Sequence, residues 1–222
     1  MKKSYTVEHE NIIFRRARID DNFKEIADLI YFTDPYIYPF WFQGDLGYAC
    51  EFLVEHIAKP GFIFYFENIY VAYDKTTDHI VGIICAIDRN ANLDFDYEQI
   101  KTNNQNHKIT IEGYIERIIA EAKENDYLYI SNVCIAGDYR GKKIGTRLLG
   151  HYLGQMEKAG FHEFALDCLL HNLRAKNLYH NLGFIEIAEY TGFDGTADSQ
   201  VEAVSMRRRQ GAYLPEEFQA LG

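Results

Sequence analysis

The stretch that most constrains the fold runs from Tyr127 to Met156, YLYISNVCIAGDYRGKKIGTRLLGHYLGQM. Tyr127 to Ala136 are largely apolar, with β-branched and aromatic side chains, the composition of a buried strand. A polar loop with Gly137 and Gly141 follows, and then Ile144, Leu148, Leu149, Tyr152, Leu153 and Met156 recur at helical spacing on one face. A strand that turns directly into an amphipathic helix must bury that helix against a sheet, so the chain reads as a layered, mixed α/β (α+β) protein. The junction also carries chemistry. The first N–H groups of a helix lack intrahelical acceptors and lie at the positive end of its dipole, which suits an anion. Arg140, Lys142, Lys143 and Arg147 crowd there in a chain that is acidic overall, 23 Lys and Arg against 33 Asp and Glu, net −10. Read from these residues alone, the loop is either a phosphate cradle or a helix start with a solvated basic face. It is not a Walker loop, because Gly137 and Gly141 are too close and Lys142 is followed by Lys143 instead of Ser or Thr, and no G-x-G-x-x-G fingerprint is present.

The same periodicity rules organise the rest. IIFRRAR (Ile12 to Arg18) reads as a first strand, and Asp20 or Asp21 is placed to cap a helix whose apolar side carries Phe23, Ile26, Ala27 and Ile30. An aromatic stretch, YFTDPYIYPFWF, is broken by Pro35 and Pro39, and a second helix is expected from Asp45 to Ile57. FIFYFENIYVAYD and HIVGIICAID read as strands around a turn at Asp74 to Asp78. Residues 89–126 read as an insertion between strands, whose Ile111, Ile115, Ile118 and Ile119 share a helical face that has to pack on something. FHEFALDCLL, a helix from Leu173 to Leu182, and the strands FIEIAEY and VEAVSMRRR complete the chain. Without a repeat, a low-complexity segment or a Gly/Ser linker, residues 1–222 read as one domain, long enough to bury roughly 70% of the unfolded surface.

Composition narrows the function. An acidic chain is a poor match for a nucleic-acid backbone and a good one for a cationic partner. Cys50, Cys85, Cys134 and Cys168 form no C-x-x-C pair and read as reduced thiols; Cys134, inside an apolar strand, reads as core more readily than as a nucleophile. MKKSYTVEHENII has no apolar stretch after its lysines and no segment is long enough to span a bilayer, so a soluble, cytoplasmic protein with no membrane partner is expected. No H-E-x-x-H spacing points to a metal, His162 and His180 included, and no G-x-S-x-G anchors a hydrolase triad.

A second motif lies downstream: NLRAKNLYHNLGF, Asn172 to Phe184. Ala175, Leu178, Tyr179 and Leu182 share a face, Gly183 can take the left-handed position after the helix, and Phe184 can fold back on the last turn. Alone, this is either a well-terminated helix with a core tyrosine or one that presents a catalytic tyrosine. Together, the two motifs resemble those of the GNAT superfamily of N-acetyltransferases. VCIAGDYRGKKIGTRLL looks like its acetyl-CoA loop, R/Q-x-x-G-x-G/A after a strand, and NLRAKNLYHNLGF looks like its N-x-x-A-x-x-L-Y-x-x-x-G-F helix. Strong resemblance covers Tyr129 to Phe184; FRRARIDD and HIVGIICA weakly resemble the family's first and third strands. One departure stands out, Lys143 where the pattern has its middle glycine.

The resemblance implies a mixed, mostly antiparallel sheet of about seven strands flanked by about four helices, with an extra helical insertion. It implies acetyl-CoA as cofactor, with Arg140, Gly141, Lys142, Lys143, Ile144, Gly145 and Thr146 offering backbone amides to the diphosphate of coenzyme A. Val133, Cys134 and Ile135 would face the pantetheine arm, on a strand that in this family splays from its neighbour, and Asn172 would contact the cofactor farther along. Tyr179 would stand by the thioester sulfur and give a proton to the leaving thiolate, which a phenol of pKa about 10 can do for a thiol of about 8.5. Lys143 costs little if its backbone is helical, and its side chain is expected to point outward or to pair with the phosphates.

Direct transfer needs a neutral amine, hence a base or a water chain. Asp167 matches an acidic position that is the base in some members; the alternative is local pairing or capping. Asp34, Tyr36, Tyr38 and Trp41 fall where the family lines its acceptor cleft and could cage an ammonium through cation–π contacts, or else form core or the interface of a homodimer. The expected activity is acetyl transfer to a primary amine of a small molecule or a peptide. Its rivals are a non-catalytic acyl-CoA-binding or regulatory module and a protein N-acetyltransferase.

Overall fold

The computed structural model describes residues 11–88, 93, 116–118, 120, 127–193 and 200–212. In chain order the elements are β1 (Ile12–Arg16), α1 (Phe23–Tyr31), α2 (Ile37–Trp41), α3 (Leu46–Ile57), β2 (Ile69–Asp74), β3 (His79–Ile87), β4 (Leu128–Ile135), α4 (Ile144–Lys158), β5 (Glu163–Leu169), α5 (Leu173–Asn181), β6 (Ile185–Phe193) and β7 (Gln200–Arg209). The strands form one sheet in the order β1-β2-β3-β4-β5-β7-β6. Every neighbouring pair is antiparallel except β4 with β5. The mixed, mostly antiparallel seven-stranded architecture therefore stands.

The sheet is covered on both faces. One core joins Ile26 and Ile30 of α1, Tyr38 and Trp41 of α2 and Leu53 of α3 to Val71, Ile83 and Tyr129; the other joins Leu148, Leu149 and Leu153 of α4 and Tyr179 of α5 to Ile130, Phe164, Leu166 and Val204. The buried face of α4 is the one its apolar spacing predicts, Ile144 through Met156. Ile118 is 1% exposed and joins the first core, which is what the stripe on the insertion has to pack against. Ile111, Ile115 and Ile119 lie outside the described residues.

Four local expectations change. Asn22, not Asp20 or Asp21, caps α1, accepting from the Lys24 amide at 3.2 Å. Asp21 is committed elsewhere: both its oxygens take the Arg15 guanidinium, at 2.6 and 2.8 Å, and one also accepts from the Arg18 amide. Pro39 does not break the aromatic stretch but lies in the first turn of α2, where a helix needs no amide donor. That turn is an element beyond the four helices expected. Finally, FIFYFENIYVAYD is strand only from Ile69; Phe62 and Phe64 instead bury their rings from a turn segment opened by Gly61 at φ 88°.

Candidate active site

The parallel ladder between β4 and β5 joins only Leu128–Ile130 to Phe164–Leu166. Both strands continue, β4 to Ile135 and β5 to Leu169, so beyond Ile130 the β5 side of β4 has no ladder partner among the described residues, while β3 still pairs on the other side. A bulge marks the point of departure. Cys85 pairs with Asn132 and Ala86 with Ile130, which leaves Ser131 as the extra residue, its hydroxyl on the Cys85 carbonyl at 3.3 Å. The bulge swaps faces: Tyr129 precedes it and Asn132 and Cys134 follow it on the α1–α3 side, whereas Val133 and Ile135 turn toward α4 and α5.

A cleft of about 580 Å3 opens at this gap. Phe32, Thr33 and Pro35, after α1, line it from one face; Ala175, Leu178 and Tyr179 of α5 line it from the other. Val133, Cys134 and Ile135 form its floor, and Arg140, Gly141, Lys143 to Thr146 and Asn172 close its end. Because its walls come from both faces, the cleft passes through the plane of the sheet. The cofactor residues expected from sequence converge here, with one exception. Lys142 is not on the lining; its Nζ lies over the Tyr139 ring, 5.2 Å from the centroid.

The loop between β4 and α4 is braced from three directions. The Tyr139 hydroxyl donates to Asp74 at the end of β2, 2.9 Å, and the Arg140 Nε donates to the Ile135 carbonyl, 2.8 Å. The Arg140 amide donates to Gly137, 3.1 Å, so it is spent inside the loop and does not join the expected anion-binding set. Beyond it, among the described residues, the amides of Gly141, Lys142, Lys143, Ile144, Gly145 and Thr146 have no protein acceptor. Gly141 (φ 81°) and Lys143 (φ 59°) both have positive φ with Lys142 between them on the negative side, the alternation that turns successive N–H groups into one concavity. Lys143 is thus left-handed and not helical, correcting the expectation from sequence, and an L-residue held there stores about 1–2 kcal/mol. Its side chain is exposed. Gly145 is small for a different reason: a Cβ there would lie 3.2 Å from Leu178 Cδ1 and 3.4 Å from Ile135 Cγ1, so α4 approaches β4 and α5 only without a side chain.

Asn172 caps α5, accepting from the Ala175 amide at 3.1 Å. At the other end the Phe184 amide donates to Tyr179 and the Gly183 amide to His180, with Gly183 at φ 84°, a Schellman closure that fixes the last turn. Arg208 adds a second clamp there: from β7, with its side chain fully buried, it donates to the Leu182 carbonyl at 2.8 Å and to Glu157 of α4 at 2.5 Å. Between these fixings stands Tyr179, 8% exposed, whose hydroxyl has no protein partner among the described residues. Burial, and after it the nearby Cys168 and Cys134, pushes its pKa up, so the phenol keeps its proton. Burial also raises the Cys134 thiol, which fits a core thiol better than a nucleophile.

The acceptor side departs most from expectation. Tyr38 and Trp41 are each 2% exposed and pack edge to face in the first core, and Asn132 Nδ2 donates to the Tyr38 hydroxyl at 2.7 Å. Asp34 caps the turn into α2 through the Tyr36 and Ile37 amides, 2.7 and 2.9 Å. Tyr38 and Trp41 therefore fill the core beneath α1 and α3 and do not face an open cleft, while Asp34 and Tyr36 are half-buried at the turn into α2. The cleft wall at this end is Phe32, Thr33 and Pro35, which sequence reasoning passed over. Phe32, 58% exposed one residue past an otherwise buried helix face, is the signal that could have found it. Asp167 lies on β5 just past the last residue paired with β4, and its Oδ2 accepts from the Tyr129 hydroxyl, 2.9 Å, and from Arg117 Nη1, 3.0 Å. That oxygen is thus engaged by groups 38 and 50 residues away in the chain.

With the cleft, loop and tyrosine in place, comparison with known proteins is decisive. The sequence model of the Acetyltransferase (GNAT) family matches residues 26–184, well over half of the chain. The chain belongs to the GNAT family of acetyltransferases. A curated relative, the [ribosomal protein bS18]-alanine N-acetyltransferase of Escherichia coli K12, is 27% identical over 101 residues, 46% of this chain and 68% of that protein. Among solved structures, an N-acetyltransferase from Staphylococcus aureus Mu50 superposes with a TM-score of 0.59 at 18% identity, over 88% of this chain and 99% of its own. The NatC complex bound to Gag peptide and CoA includes a chain with a TM-score of 0.51 at 19% identity, over 90% and 98%. This GNAT protein is an acyltransferase, and its family uses acetyl-CoA. Its residues fit that group: a concavity of unspent amides under a basic rim matches a diphosphate, and the unpaired edge of β4 matches a chain that carries amides of its own. No helix among the described residues is long and apolar enough to cross a membrane.

Proposed function

We propose that this GNAT enzyme transfers the acetyl group of acetyl-CoA to a primary amine by direct attack, with Tyr179 as general acid. The observation that carries the reading is the coincidence, at one gap in the sheet, of a β4 edge and a buried tyrosine hydroxyl that both lack a partner among the described residues. When bound, acetyl-CoA supplies an acetyl group already activated as a thioester. The amides of Gly141 to Thr146 hold the diphosphate, and Lys143, exposed at the rim, adds a positive charge. Val133 and Ile135 offer backbone groups to the pantetheine arm, and the edge between Ser131 and Ile135 supplies an N–H for the acetyl oxygen, a donor that becomes worth more as negative charge develops there. Asn172 orients α5 as its cap. Tyr179 holds a proton on Oη until sulfur departs, and burial keeps that proton in place at neutral pH.

Asp167 does not stand free as a base, since Arg117 and Tyr129 occupy one of its oxygens. Proton removal from the amine passes to water in the cleft. A peptide α-amine is a second reading of the acceptor, favoured by the match to the ribosomal-protein alanine N-acetyltransferase. A thiol-release assay with acetyl-CoA over polyamines, amino sugars, amino acids and short peptides tests both readings. Turnover on any of these amines supports the enzyme; CoA binding without turnover on any would favour a binding or regulatory module.

A further inference from the structure

Asp167 is the first residue of β5 beyond the ladder with β4, and its side chain lies on the face opposite Tyr179, because its neighbours Leu166 and Cys168 point into the core beneath α4 and α5. A cation of the chain's own fills its surroundings. Arg117, from the helical stretch 116–118 of the insertion, places Nη1 3.0 Å from Asp167 Oδ2 and its guanidinium carbon 5.8 Å from the centre of the Tyr190 ring. The Tyr129 hydroxyl meets the same oxygen, and Oδ1 has no partner among the described residues. The pair opens to solvent, with side-chain exposures of 40% for Arg117 and 17% for Asp167. A carboxylate that already holds one cation against an aromatic ring, and whose second oxygen has no partner among the described residues, is a cation-binding site by its chemistry.

We propose that this is a docking site for a second, non-reacting cationic group of the acceptor, and that Arg117 is an internal competitor for it. The inference rests on the reading that the acceptor is a primary amine. The chemistry then selects the class. An amine has to shed its charge before it attacks, so a monoamine cannot both replace the guanidinium on Asp167 and react. A diamine can, one ammonium remaining charged against Asp167 while the other is deprotonated and attacks. The net charge of −10 draws such a dication in.

The test is thiol release with acetyl-CoA on butylamine and on 1,4-diaminobutane, for the wild-type protein, Arg117→Ala, Asp167→Asn and the double variant. The wild-type protein should favour the diamine in KM; Arg117→Ala should lower the diamine KM about fivefold, the factor for a part-exposed ion pair, and leave the butylamine KM in place. Asp167→Asn should abolish the preference, and in that background Arg117→Ala should gain nothing. If the alanine variant does not fold, Arg117→Lys gives the same reading, a smaller fall in the same direction, because a lysine lacks the two-pronged fork. An unchanged diamine KM in both Arg117 variants, or an equal fall with and without the Asp167 carboxylate, overturns the proposal and leaves Arg117 as an anchor of the insertion. If neither amine turns over in the wild-type protein or in Arg117→Ala, the diamine inference is overturned, whereas the amine reading falls only if the wider panel of polyamines, amino sugars, amino acids and peptides is silent as well; turnover that appears only in Arg117→Ala supports the inference.

Discussion

Replacing Lys143 by glycine separates backbone strain from charge at the phosphate loop. At φ 59° and ψ 9° the lysine is left-handed, and an L-residue there costs about 1–2 kcal/mol. Glycine adopts the conformation freely but gives the unfolded chain more entropy to lose, offsetting about 0.5–1 kcal/mol. No hydrogen bond or ion pair of the Lys143 side chain to the described residues is lost. Lys143→Gly should therefore stabilise the protein by about 0.5–1 kcal/mol, a rise in Tm of about 1–4 °C for a chain of this size. The same change removes a cation from the cleft lining, so CoA should bind about two- to fivefold more weakly at low salt, and the difference should shrink as salt screens it. Differential scanning calorimetry and titration calorimetry at two salt concentrations read the two effects separately. A lower Tm would refute the strain assigned to the loop, and an unchanged CoA affinity would refute the placement of the charge.

Other substitutions test other parts of the site. Gly145→Ala should push α4 away from Leu178 and Ile135 and cost about 1 kcal/mol in denaturant unfolding, since overpacking outweighs alanine's helix propensity; a stabilised variant would contradict the close approach. Arg208→Met strips the half-buried Glu157 and the Leu182 carbonyl of their donor and should cost about 1–3 kcal/mol, measured by urea unfolding. Burial works against the charge of Asp21, but the Arg15 guanidinium and the Arg18 amide outweigh it and hold its pKa below the ordinary carboxylate value. The stability this supplies is present above the unfolded-state pKa of about 4 and is lost as pH falls through the lower folded-state value. Asp21→Asn should thus be clearly destabilised at pH 7, by about 1–3 kcal/mol, and converge with the wild-type protein in strong acid, followed by chemical unfolding across pH.

What was legible in the sequence was local. The buried face of α4 follows from spacing alone, and the closure at Gly183 and Phe184 from one glycine and one aromatic after an apolar helix. The sheet order and the gap depend on contacts between distant segments, yet two motifs so different in residue type were enough to specify the family. Reasoning failed where one residue had two uses. Asp21 could cap a helix or grip Arg15, and only the folded geometry shows that Arg15 wins. Tyr38 and Trp41 could form a cage or a core, and the need to cover the sheet beneath α1 and α3 decides for the core. Ser131 hid the bulge, because a single added residue reverses which strand side chains face which layer without disturbing the apolar composition. The left-handed backbone of Lys143 was hidden because a lysine gives no hint of it, whereas the glycine it replaces in the family pattern would have.

The most direct test of the central claim is Tyr179→Phe, assayed by steady-state thiol release together with CoA binding. The hydroxyl has no protein partner among the described residues, so its loss should leave stability within about 0.5 kcal/mol of the wild-type protein and CoA affinity within about twofold. The account predicts a fall in kcat of about 10²–10⁴, the range for a lost general acid. A variant that folds, binds CoA and retains wild-type kcat would contradict it.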